Sequence, residues 1–169
     1  ERGLFRLNSV GNSWNMEQVA GNSNWPEGVP MDVEDANGIL YVSIENSGIA
    51  RWDTTSNSVQ TILQNSGEDD VHEMITSGNV LYIATENQGV LRWNFAQNSW
   101  ISSWSNTNWL ENNNVKDLVV LDNNIFILLE DTLHQYDTSI GVMINQFDVN
   151  SDLNMIRTGK NIIPWSANG

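Results

Sequence analysis

Apolar positions in this chain come in short blocks, divided by turn-forming Gly, Asn, Ser and Asp. No window sustains i, i+3, i+4, i+7 apolar spacing over three turns, so no helix is expected. The blocks read as short strands. In Val80–Thr85, Leu81, Ile83 and Thr85 alternate with Tyr82 and Ala84. Neither set is charged, which predicts a strand buried on both faces. The strands group in fours, here called A to D. The clearest set has A at Val71–Thr76, B at Val80–Thr85, C at Gly89–Asn94 and D at Ser99–Trp104. Turn chemistry separates them at Ser77-Gly78-Asn79, Asn87-Gln88-Gly89 and Ala96-Gln97-Asn98.

The pattern repeats. Gly48-Ile49-Ala50-Arg51-Trp52-Asp53 returns as Gly89-Val90-Leu91-Arg92-Trp93-Asn94, with weaker copies at Gly3–Asn8 and Thr132–Asp137. The intervals are 45, 41 and 43 residues. Such periods, built from short strands, predict an all-β fold, a β-propeller with four-stranded antiparallel blades. The chain amounts to about four blade-equivalents, three whole and two half. Whole blades are expected at 31–63, 71–104 and 115–147. A C–D half blade is expected at 3–19 and an A–B half blade at 153–166, where Pro164 marks an edge, an early end or a bulge. Residues 1–169 are therefore one propeller domain or a segment of a larger propeller. Asn12-Ser13-Trp14 also recurs as Asn98-Ser99-Trp100, and Asn24-Trp25 as Asn108-Trp109, so alternate blades resemble each other more than neighbours do. Duplication of a blade pair accounts for that. The complementary half blades leave three forms of closure: a lone four-bladed ring, a homodimer closing as eight blades, or a larger parent propeller. The last two are preferred.

Composition narrows the partners. The net charge is −14, with seven basic residues. That excludes the positive footprint that nucleic acids and anionic membrane surfaces require. Cysteine is absent, which removes disulfides, thiol nucleophiles and Cys-ligated metals. No apolar run approaches the roughly 18 residues of a membrane span, and no signal peptide is present. The first residue is not Met, and the chain reads as cut from a longer or processed precursor. Its heavy load of asparagine suits turns and polar surfaces.

The stretches Glu27-Gly28-Val29-Pro30, Val33–Ser43 and Asn46–Asp53 resemble the two-component regulator propeller repeat. Departures are visible. Tyr41 and Tyr82 stand where that family has Trp, Ser43 and Ala84 where it has Gly, and Asp131-Thr132 replaces the glycine before the last complete C strand. The resemblance implies a propeller and an extracytoplasmic setting, either ahead of a sensor kinase or in a surface or secreted protein. No transmitter, receiver or membrane segment accompanies it.

Candidate chemistry is sparse. No G-x-S-x-G, H-E-x-x-H, P-loop or G-x-G-x-x-G motif occurs. His72 lies beside Glu73 and behind Glu68, Asp69 and Asp70, and the simpler reading is a strand-end histidine near an acidic loop. His134 sits inside a C strand, where its repeat mates are Ala50 and Leu91, and reads as a core or interblade histidine. Asp148, Asn150 and Asp152 have the D-x-N-x-D start of a calcium loop, but Leu153 replaces its glycine and no bidentate Glu follows. An Asx-rich turn is favoured over a calcium site, and no cofactor is expected. Arg6, Arg51 and Arg92 recur at one position. They form either an anion-binding ring or, as preferred, interblade stems paired with acids. Trp52 and Trp93 belong to the core.

Trp25 and Trp109 differ, because each lies in a polar D–A connection. In a propeller the D–A and B–C connections emerge on one face. Trp25, Trp109, Asn24, Asn108, Glu45 and Glu86 are thus the ligand-binding candidates, with aromatics to stack on sugars and polar groups to bond hydroxyls. Acids cluster on the same connections, at Glu27, Glu45, Glu68, Asp69, Asp70, Glu86, Glu111, Glu130 and Asp131, while the opposite A–B and C–D turns carry mainly Asn, Ser and Gly with Asp35, Asp122 and Lys160, which predicts one strongly negative face. The preferred function is a non-enzymatic binding or scaffold module of an extracellular, cell-surface or periplasmic protein, taking a protein or glycan ligand. The alternatives are a carbohydrate-active enzyme using carboxylates on that face, and the sensor domain of a two-component receptor.

Overall fold

The computed structural model describes residues 4–11, 13–18, 25–63, 71–149, 153–158 and 161–166; in the last two stretches it describes the backbone and the side chain of Met155. The chain divides into two compact units, Glu1–Gly67 and Glu68–Gly169.

The first unit holds the hairpin β1 (Phe5–Val10) and β2 (Ser13–Gln18). Its sheet runs β3 (Pro30–Ala36), β4 (Ile39–Ile44), β5 (Gly48–Asp53) and β6 (Ser58–Leu63), each antiparallel to the next. The second unit holds two such sheets. One is β7 (Val71–Ser77), β8 (Val80–Thr85), β9 (Val90–Asn94) and β10 (Ser99–Trp104). The other is β11 (Asp117–Leu121), β12 (Asn124–Leu128), β13 (Thr132–Asp137) and β14 (Val142–Asp148). The hairpin β15 (Leu153–Thr158) and β16 (Asn161–Ser166) follows, with Pro164 opposite Met155 in an unbroken register, on an edge strand. These are three whole blades and two half blades of a β-propeller.

Register explains why one residue pattern serves every blade. Trp52 faces Leu40, Trp93 faces Leu81 and Tyr136 faces Ile125, each across the B–C pair. All three aromatics are buried. The B strands β4, β8 and β12 are buried almost throughout, as uncharged two-faced strands should be. The outermost strands are mostly exposed or half-buried. Each joins its C strand through a register shift, at Ile49/Ala50, Ile101/Trp104 and Gln135/Tyr136.

In the second unit the blades meet through β11. It packs against β7 and β8 on one side and against β15 and β16 on the other. The core there includes Tyr82, Val90, Trp104, Leu110, Val115, Leu118, Ile125 and Leu129. Asp117 adds a polar link, because its Oδ2 accepts from the Met155 N–H at 2.7 Å. Burial pushes the Asp117 carboxyl up, and bonds from Met155 and Leu118 only partly offset that. The three Arg at the shared C-strand position take three environments. Arg6 pairs with Glu17 at 2.8 Å in the open. The Arg92 guanidinium lies 4.6 Å from the Trp104 ring centroid, and its Nε donates to the Ser102 carbonyl. Arg51 keeps a buried Nε without a partner. The anticipated pairing with acids thus holds at Arg6 alone among these bonds.

The two ends of each blade are separate. At one end, C–D turns rest on A–B turns: the Thr54 hydroxyl donates to the Gly38 carbonyl, Phe95 N–H to Asn79, and Thr138 N–H to Asn123. Asn37 and Gly38, with φ of 58° and 83°, form the two-residue left-handed turn that such hairpins require. At the other end, D–A and B–C connections bond each other. Glu45 N–H reaches the Val29 carbonyl in the first unit; Gly89 N–H reaches Asn113 and Val115 N–H reaches Thr85 in the second.

Candidate functional site in the loops between blades

The D–A and B–C connections thus lie together within each unit, but their residues are used unevenly. In the first unit Trp25 is half-buried. It packs against the cluster of Val42, Ile44 and Ala50 and meets Trp52 edge-on, with centroids 5.8 Å apart. Glu27 and Glu45 beside it are exposed. The Ser47 hydroxyl donates to the Glu27 carbonyl, and a Cβ at Gly28 would lie 2.5 Å from the Glu45 carbonyl oxygen. The loop is thus pressed flat on its own blade, with its aromatic turned in. Asn24 lies outside the described residues.

In the second unit the loop from Ser105 to Val115 is tied down differently. The N–H groups of Asn108, Trp109 and Leu110 all converge on the Ser105 carbonyl, at 3.0–3.1 Å. Asn108 spends both ends of its amide on the loop, accepting from Ser105 N–H and donating to the Ser103 carbonyl. Asn113 accepts from Asn106 N–H. Leu110 and Val115 are buried anchors on either side. Trp109, held by this frame, is 45% exposed. Glu86, on the B–C connection that bonds the same loop, is also exposed.

The sequence presents Glu111 only as one acid among many. In the structure its Oε2 accepts from Nε2–H of His134 at 2.6 Å and from the Thr132 hydroxyl at 3.3 Å. The His134 side chain is 3% exposed and the Glu111 side chain 43%. Burial raises the Glu111 carboxyl, but bonds from its own backbone, His134 and Thr132 outweigh that and leave it below the usual carboxylate range. His134 is buried, as expected of a core histidine, yet it is bonded to the loop face. His72 sends Nδ1–H to the Val115 carbonyl at 2.9 Å, which fixes the same loop's last residue.

The remaining candidates separate. Asp148 is exposed, while Asn150 and Asp152 lie outside the described residues. Among the described residues, no group of three or more His, Asp or Glu is placed to hold a metal ion. Glu68, Asp69 and Asp70 also lie outside them. The negative face needs a correction: acids occur at the opposite ends too. Asp53 accepts from the Thr55 and Ser56 N–H groups, and Asp137 from Ser139 and Ile140. These carboxylates cap C–D turns, so they follow local turn chemistry. The bonds to Ser56 and Thr55 hold Asp53 below the usual carboxylate range, and those to Ser139 do the same for Asp137.

No protein-family model matches the chain, and no curated protein matches it. The resemblance to the two-component regulator propeller repeat therefore rests on the motifs alone. Solved structures do match. A computationally designed protein, Ika4, aligns with a TM-score of 0.68 at 12% identity, over 89% of this chain and 95% of that one. The extracellular domain of a protein described as a hybrid two component system of B. thetaiotaomicron aligns at 0.63 and 20% identity, over 84% of this chain and 18% of that one. The Neurospora crassa Pan2 WD40 domain aligns at 0.56 and 7% identity, over 72% and 38%. The chain spans well under half the length of the two natural proteins. WD40 repeats are propeller blades, and at these identities the likeness shows the fold: this chain is built of β-propeller blades.

Proposed function

We propose that the chain is a non-enzymatic binding propeller whose ligand docks on the 105–115 loop face, with Trp109 as its platform. The observation that carries this is Trp109 itself, 45% exposed on a loop whose backbone is fixed by converging hydrogen bonds. A large aromatic held open in a rigid frame meets ligand without losing much conformational freedom. Exposed Glu86 and Glu111 supply acceptors nearby. The likeness to an extracellular domain supports an extracellular or cell-surface setting, and it favours, as a second reading, the sensor domain of a two-component receptor. Trp14 provides the control. It is 71% exposed beside the β1–β2 turn, at the C–D end of its hairpin. Calorimetric titration with neutral hexasaccharides (cellohexaose, maltohexaose, xylohexaose, chitohexaose) should show binding that Trp109→Ala weakens about tenfold or more. Trp14→Ala should leave it unchanged. Equal losses from both variants, or a loss from Trp14→Ala alone, would refute the site.

A further inference from the structure

Two positions of the third whole blade break the repeat, and both breaks meet at one carboxylate. Where the other blades have Gly48 and Gly89, this one has Thr132; where they have Ala50 and Leu91, it has His134. Gly48 and Gly89 take φ of 90° and 80°, and Thr132 is not among the positive-φ residues. The backbone bond is nevertheless kept, since Leu129 N–H reaches the Thr132 carbonyl as Thr85 N–H reaches Gly89. A polar ring placed where the repeat is apolar must find a partner or destabilise the blade. His134 finds Glu111, and so does the Thr132 hydroxyl. Neither substitution is needed for the fold, because two sister blades do without them.

We infer that His134 and Thr132 orient Glu111 as the hydrogen-bonding half of a saccharide site whose stacking half is Trp109. This rests on the reading of the loop face given above. Glu111 and Trp109 are two residues apart, so their Cα atoms lie within about 7 Å. Both side-chain donors bond Oε2, and the residue's own N–H also bonds the carboxylate. The carboxylate's remaining acceptor capacity is what a ligand is offered, on a side chain 43% exposed. An apolar ring face beside one oriented acceptor suits a pyranose, which presents a C–H face rimmed by hydroxyl donors. The net charge of −14 sets the class further, because it disfavours acidic glycans and leaves neutral ones. His134 is here a positioning residue that acts through Glu111.

The test uses the 169-residue chain and the same neutral hexasaccharides. Glu111→Gln is expected to weaken binding about tenfold or more, the loss of a hydrogen bond to a charged group. His134→Leu should do the same while leaving the melting temperature near that of the parent, since Leu91 fills the equivalent position of a sister blade. The double variant should bind no worse than either single one, because the two residues work as a unit. His134→Gln, which keeps a donor, should restore most of the affinity. Parent affinity in Glu111→Gln and His134→Leu, with binding lost only in Trp109→Ala, would overturn this inference and leave the loop-face site standing. Additive losses would also overturn it, by making His134 an independent packing residue. No response from the parent chain to any of the saccharides would overturn both.

Discussion

Two loops of this protein share a W-x-E sequence and end in different states. Trp25-Pro26-Glu27 and Trp109-Leu110-Glu111 each lead from an outer strand into the next blade. In the first, the tryptophan lies half-buried on Trp52 and the glutamate's carbonyl is held by Ser47. In the second, Leu110 takes the buried place, Trp109 stays open, and the glutamate's carboxylate is held by His134. The middle residue decides much of this. Pro26 has no N–H, so it cannot join the fan of donors that Leu110 joins at the Ser105 carbonyl. One motif therefore packs a core in one place and frames a surface in another. A repeat sets where a loop emerges, and the residues around it set what the loop is for.

The strongest way to break this contrast is to loosen the frame of each loop. Gly89, at φ 80°, lies against the Trp104 carbonyl, and a Cβ there would clash with backbone. Gly89→Ala is expected to destabilise the second unit by about 3 kcal/mol, from backbone strain plus the clash. Denaturant unfolding followed by tryptophan fluorescence measures it. Trp25→Ala should follow at about 2 kcal/mol, less than a full Trp→Ala core loss because the ring is only half-buried. Trp109→Ala should change stability by less than about 0.5 kcal/mol. If the two tryptophan variants lose equal stability, the loops do not differ as described.

Most of the fold was legible and half of the candidate site was. The C strand at 48–53 runs from glycine to acid, a pattern that carries turn, core and cap together, and the strand at 132–137 keeps the core and cap without the glycine. The last complete A strand begins at Asp117, two residues after the expected Val115. Val115 gives its N–H to Thr85 of the preceding blade, so it bonds outside its own ladder. Polar surroundings mark Trp109 and Trp25 alike as surface aromatics, and the structure leaves Trp109 exposed and Trp25 half-buried on Trp52. The pairing of Glu111 with His134 was not legible, because 23 residues separate them and a histidine at a core position looks like packing. The available signal was the double departure from the repeat at Thr132 and His134. Asp53 and Asp137 misled the charge reading, since the acid that ends a C strand serves its turn.

The smallest expected effect concerns Asp117. Its carboxyl is held above its ordinary value by burial. The folded state therefore binds the proton more tightly than the unfolded one. That contribution to stability is fully present below the unfolded value and is lost as pH rises through the folded one. Asp117→Asn keeps an acceptor for Met155 N–H and removes the titration. Measured from pH 3 to 7, the stability of the variant relative to the parent should rise with pH. An identical difference between the two proteins at every pH would show that Asp117 does not titrate there.

The register shifts between C and D strands have a consequence for the protein's behaviour in crowded solution. An outer strand presents an unpaired row of N–H and C=O groups, and β14 adds exposed Val142, Ile144 and Phe147. Such an edge invites stacking of molecules into cross-β aggregates. The outer strands of the three whole blades interrupt their pairing with a bulge, at Ile49/Ala50, Ile101/Trp104 and Gln135/Tyr136. A bulge increases the local twist and turns the row out of line, so a second flat strand cannot match it along its length. The irregularity that spoils the ladder thus makes that edge a poorer template for a second strand.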